Sequence, residues 1–155
     1  MKAKRGFTLV EILIVVVILG ILAAIVIPQF TNASTEAKAS SLKSDLQTVR
    51  SQIELYKIQH GDALPGTVSG VSFAAAMTGQ TDAAGAVYVS GTSTTGPFGP
   101  YLQKIPTNPF SSSATVGQTV ATGTASAAVS TAAGWYFETD TGKFNAVDST
   151  AHLAY

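Results

Sequence analysis

The sequence predicts an α+β fold. One long N-terminal helix, its first half spanning a membrane, packs against a small antiparallel β-sheet with long loops. Three features carry that expectation. An unbroken, mostly apolar run occupies residues 7–27. Apolar residues then recur at spacings of three and four from Ala39 to Tyr56, the period of one helical stripe. Near the end, two strand-like stretches at 134–138 and 143–147 flank a turn.

Composition narrows the class. The 155 residues suffice for one domain beside a membrane segment. Charged residues make up 12% of the chain, well below the roughly 25% of soluble domains. Net charge is zero, which argues against nucleic acid as a direct partner, because such a binder needs a basic face to displace counterions from phosphates. The chain has no cysteine, so disulfides, thiolate metal sites and thiol catalysis are excluded.

The first helix begins behind a basic cluster, Lys2, Lys4 and Arg5, which holds that end in the cytoplasm by the positive-inside bias. The apolar run from Phe7 to Ile27 is close to the ~20 residues that cross a bilayer as a helix. Membrane lipid is then its first partner. Glu11 is out of place there: a carboxylate toward the membrane interior costs on the order of a few kcal/mol, so it needs a partner. The run contains no Lys or Arg. Cleavage between Gly6 and Phe7 would create an α-amine about one helical turn from Glu11. That amine could meet Glu11 of its own chain or of a neighbouring copy, and a buried charge pair between copies would fix their register. A plain anchor explains the length of the run but not Glu11. A secretory signal peptide explains the small residues Ala23 and Ala24, but not the apolar continuation through Ile27.

The stretch Lys4-Arg5-Gly6-Phe7-Thr8-Leu9-Val10-Glu11 resembles the cleavage and methylation motif of type IV pilins and type II secretion pseudopilins. The resemblance continues through the apolar run to Pro28. It implies a pilin-like fold and a filament subunit rather than an enzyme. It also implies a cytoplasmic leader at 1–6, a membrane and filament-core segment at 7–28, and an extracytoplasmic domain at 29–155. A prepilin peptidase is then expected to cut after Gly6 and methylate the amine of Phe7, with Glu11 and Pro28 serving assembly. The implied partners are further copies of the chain in a homopolymer, and an inner-membrane assembly platform with its ATPase.

Pro28 removes one helical hydrogen bond. With Gly20 it either lets the helix bend or melt on assembly, or it marks the membrane exit. Past Phe30 the stripe of Ala39, Leu42, Leu46, Val49, Ile53 and Tyr56 faces a core, with charged residues mostly elsewhere. Gly61 after His60 stops the helix, which is expected to run from about Thr8 to about His60. Its first half must project, covered by lipid or by identical helices. A non-closing contact between identical surfaces produces a helical polymer.

Beyond Gly61, residues 71–77 predict a short helix ending at Gly79, 86–90 an extended segment, 96–100 a loop, and Tyr101-Leu102 one more helical turn. Residues 116–120 predict a strand within the Ser/Thr/Ala-rich stretch 111–133. In the terminal hairpin, Trp135 and Phe137 point one way, toward Leu46, Val49 and Ile53, and Tyr136 and Glu138 the other. Residues 101–110 are similar to the proline-bracketed loop of major pseudopilins, which carry Asp, Trp and Gly where this chain has Asn108, Phe110 and Ser111.

No catalytic constellation is present. His60 and His152 lie far apart in sequence and read as surface residues. The resemblance brings one cofactor into view, calcium, which major pseudopilins hold near the C-terminal loops. Calcium takes six to eight oxygens, usually with several carboxylates. Asp140 and Asp148 are the candidates, although a turn role and a solvated loop role explain them more simply. The leading function is a pseudopilin of the type II secretion system; a type IV pilin of a surface pilus, for adhesion, motility or DNA uptake, is the alternative.

Overall fold

The computed structural model describes residues 6–88, 98–119 and 133–155. Its elements are helix α1 (Leu9–Gln59), helix α2 (Phe73–Thr78), strands β1 (Val116–Thr119), β2 (Trp135–Glu138) and β3 (Phe144–Ala146), and a 3-10 turn at His152–Ala154. The chain divides into two compact units, Met1–Lys38 and Ala39–Tyr155. Helix α1 supplies the described structure of the first unit and the opening element of the second.

In the first unit, α1 continues through Gly20 and Pro28 without a break. The carbonyl of Ile27 accepts the Thr31 hydroxyl at 3.2 Å, and Thr35 repeats that bond one turn later. The large apolar residues from Phe7 to Phe30 are all exposed.

In the second unit the helical stripe does what its period requires. Leu42, Leu46, Val49, Ile53 and Tyr56 are buried. They share one core with Phe73, Ala76 and Met77 of α2, Trp135 and Phe137 of β2, and Phe144 and Ala146 of β3. Ala39, at the start of the stripe, is only half-buried. The Trp135 indole donates to the Pro106 carbonyl at 2.7 Å, so its polar edge is satisfied inside. Helix α1 ends where glycine permits the left-handed turn: Gly61 has φ +59°, and Asp62 N–H reaches back to the Lys57 carbonyl at 2.9 Å. Ser72 caps α2 by accepting Ala75 N–H at 3.1 Å, and Gly79 closes it.

The sheet has order β1-β2-β3. Strands β2 and β3 form the expected antiparallel hairpin, with Trp135 opposite Ala146 and Phe137 opposite Phe144. Strand β1 differs: it runs parallel to β2, Val116 opposite Trp135, so the sheet is mixed. The reason is connection length. An antiparallel neighbour can be joined by a tight turn, whereas a parallel one needs a long return, and residues 120–134 supply it. All four residues of β2, the central strand, are buried, including Tyr136 and Glu138.

Other expectations change. Tyr101-Leu102 is not helical; both N–H groups instead donate to the Met77 carbonyl, at 3.0 and 2.9 Å, and tie the loop to the end of α2. Of the 86–90 segment, Val87 makes a single bridge to Thr81, and 89–90 fall outside the described residues. So do 1–5, the first two residues of the 96–100 loop, and 120–132, including the last residue of the predicted 116–120 strand. His60 is buried rather than on the surface. Its ring stacks on Tyr56 at 3.8 Å, its Nδ1 lies 2.9 Å from the Tyr56 carbonyl, and its Nε2 lies 3.0 Å from the Thr81 hydroxyl. The carbonyl can only accept, so Nδ1 carries the proton.

Candidate functional site: the N-terminal helix and its acidic residue

Leu9 opens α1, which makes Thr8 the N-cap and Glu11 the third helical residue. The pair closes a capping box. Thr8 N–H and the Thr8 hydroxyl both donate to Glu11 Oε2, at 2.8 and 2.7 Å, and Glu11 N–H points back to the Thr8 hydroxyl at 3.3 Å. Sequence reasoning sought a cationic partner for Glu11 and missed this neutral one. The signal was available as Thr-x-x-Glu at the head of an apolar run. Both bonds from Thr8 go to the same carboxylate oxygen, Oε2. Gly6 and Phe7 precede the cap outside the helix, and Phe7 is 83% exposed.

Behind this cap, α1 presents an apolar cylinder. Its most apolar window is long enough to cross a membrane, and none of that window is buried. A soluble core helix would hide such a surface; this one leaves Ile12 to Ile27 between 49% and 64% exposed. Only lipid or other protein can cover it.

Residues 1–27 match the prokaryotic N-terminal methylation motif. The match takes in Gly6, Phe7 and Glu11 and ends just before Pro28. Three curated relatives illustrate the wider similarity. Type II secretion system core protein G of Pseudomonas aeruginosa is 41% identical over 70 residues, 45% of this chain and 49% of that protein. The protein of the same name from Klebsiella pneumoniae is 38% identical over 60 residues, 39% of this chain and 43% of its own. Type IV major fimbrial protein FimA of Dichelobacter nodosus is 47% identical over 51 residues, 33% of each chain. The chain thus spans half or less of the length of these relatives. No solved structure matches significantly.

The methylation motif leaves the second unit to be read from its own geometry. Asp140 is exposed in the turn between β2 and β3, where Gly142 N–H bonds the Glu138 carbonyl at 2.8 Å. Asp148 lies elsewhere, its side chain 7% exposed. Its Oδ1 accepts the Asn108 amide at 2.8 Å and its Oδ2 accepts His152 Nδ1–H. Among the described residues, no group of three or more His, Cys, Asp or Glu could hold a metal. Calcium calls for at least six oxygens, and both oxygens of the one buried aspartate face N–H donors instead. These residues do not fit a calcium cage.

Asn108 is the residue that sequence reasoning overlooked. It is fully buried. Its amide also donates to the Gly134 carbonyl at 2.8 Å, and its Oδ1 accepts Phe110 N–H at 2.8 Å. In the same unit, Arg50 of α1 donates twice to the Phe144 carbonyl, at 3.1 and 2.9 Å, and once to the Tyr155 backbone oxygen at 2.6 Å. Partial burial pushes its guanidinium pKa down from the ordinary value.

Proposed function

We propose that the chain is a structural subunit of a filament of the type IV pilus class, and that it serves as a pseudopilin of a type II secretion system. The observation that carries this reading is the methylation motif sitting at the head of a helix whose apolar first half is exposed, with an acid in its first turn. A prepilin peptidase cuts between Gly6 and Phe7 and methylates the new amine of Phe7. Before assembly, residues 7–28 lie in the inner membrane and 29–155 lie outside the cytoplasm. An assembly platform and its ATPase then draw subunits into a homopolymer, in which neighbouring helices replace lipid around α1. Burial of that surface contributes roughly 25 cal/mol per Å². The Glu11 carboxylate receives the Phe7 amine of a neighbour, which sets the axial register.

The similarity to core protein G extends over 70 residues, against 51 for the major fimbrial protein, which supports the secretion reading. A surface pilus remains the second reading because the fimbrial match is the higher in identity, at 47%. Genes for a secretin and minor pseudopilins beside this one support secretion; a retraction ATPase gene supports a pilus.

Mass spectrometry of the purified protein tests the shared core. The expected N-terminus is Phe7 carrying one methyl group, and Gly6→Leu should leave the leader in place. A mature chain starting at any other residue overturns the proposal.

A further inference from the structure

We propose that Asn108 and His152 do in this chain what a bound calcium ion would do, so that the C-terminal part of the second unit closes without metal. Three segments need joining there: the loop 108–113, Gly134 just ahead of β2, and residues 148–152. A cation would join them by gathering oxygens from each. Here the gathering atoms are nitrogen donors. The Asn108 amide spends one hydrogen on the Gly134 carbonyl and the other on Asp148 Oδ1, both at 2.8 Å. Its own Oδ1 takes the N–H groups of Phe110 and Ser111, at 2.8 and 3.4 Å. Its backbone N–H bonds the Ser113 carbonyl at 2.9 Å. Every polar group of this buried side chain is therefore used.

His152 completes the set. Its Nδ1–H meets Asp148 Oδ2, and its ring packs on Phe110 at 4.4 Å, which returns the network to the loop where it began. Asp148 thus has a donor on each oxygen, as a nearly buried carboxylate requires. Gly134 makes the close approach possible, since a Cβ there would collide with the Ser113 carbonyl. Ser149 Oγ stands outside the network: it is buried and has no hydrogen-bond partner among the described residues. A single hydroxyl is room for a water, not a coordination sphere.

The inference does not depend on filament formation, so its failure and that of the proposed function are separable. The test uses the full-length protein in detergent micelles. Isothermal titration with calcium chloride should give no saturable binding, and circular-dichroism melts in chelator and in calcium should coincide. Saturable binding, or a Tm raised by calcium, overturns the proposal without recourse to any variant. Two substitutions then probe the donor. His152→Gln keeps an N–H within reach and should melt near wild type. His152→Leu keeps apolar packing on Phe110 but loses the donor, and should melt lower by about 4–8 °C. Equal melting of the two variants would mean that packing, not donation to Asp148, is what His152 provides.

Discussion

Glu11 and Tyr56 show how differently a polar group is provided for at the two ends of one helix. Glu11 sits among exposed apolar residues and relies on its own neighbour, Thr8. Tyr56 is buried, and that burial, with Tyr101 and Asp82 nearby, pushes its phenol pKa up to about 12. The unfolded phenol titrates near 10. A raised folded value means that the contribution is intact below about pH 10 and is lost as pH climbs toward 12. Alkaline unfolding is therefore expected between those limits. Phenolate absorbance should rise together with the loss of circular dichroism, and Tyr56→Phe should shift the transition to higher pH. The methylation motif around Gly6 and Glu11 was legible in the sequence because its signal is local, a fixed spacing within six positions. Asn108 and His60 were not. Their partners, Gly134 and Asp148 for one and Thr81 for the other, lie 21 to 40 positions away, and no periodicity reports such pairs.

Helix α1 was readable along nearly its whole length, since a stripe at spacings of three and four states both the element and its buried face. Leu46 lies at the middle of that face and is buried against the sheet core. Leu46→Ala should cost about 2–5 kcal/mol of stability in the second unit, measured by urea unfolding. Leu55→Ala, at an exposed position on the same helix, should cost less than about 0.5 kcal/mol beyond propensity. Gly85 constrains the turn facing α1. It has φ +83°, and a Cβ there would stand 2.7 Å from the Tyr56 hydroxyl. Gly85→Ala should destabilise by about 1–3 kcal/mol on the same measurement, through backbone strain together with displacement of Tyr56. The hairpin was equally legible from its aromatic strands and turn. The edge strand at 116–119 was expected as a strand, but its parallel direction was not, because strand pairing direction depends on where the chain returns, and composition carries no record of that path.

At the scale of the proposed filament, the exposed cylinder of α1 would supply adhesion and Glu11 would supply register. The two should separate on mutation. Glu11→Val keeps the cylinder and removes the charge, so membrane insertion should persist while polymerisation falls, read as filaments sheared from cells against subunit in the membrane fraction. Wild-type filament yield from Glu11→Val would refute the charge-pair account while leaving the membrane anchor intact. Glu11→Gln is the finer probe, since it preserves a hydrogen-bond acceptor for Thr8 and loses only the ion pair.

The direction of β1 also has a geometric corollary. A chain leaving that four-residue strand and re-entering alongside it in the same sense must travel back over its length, roughly 13 Å at about 3.3 Å per residue. Some four or five extended residues would be the least that reaches. The stretch 120–134 is far longer than this minimum. Lengthening or trimming it changes closure entropy only slowly, so this crossing is where the protein can accept inserted or deleted sequence while the strand order stays as it is.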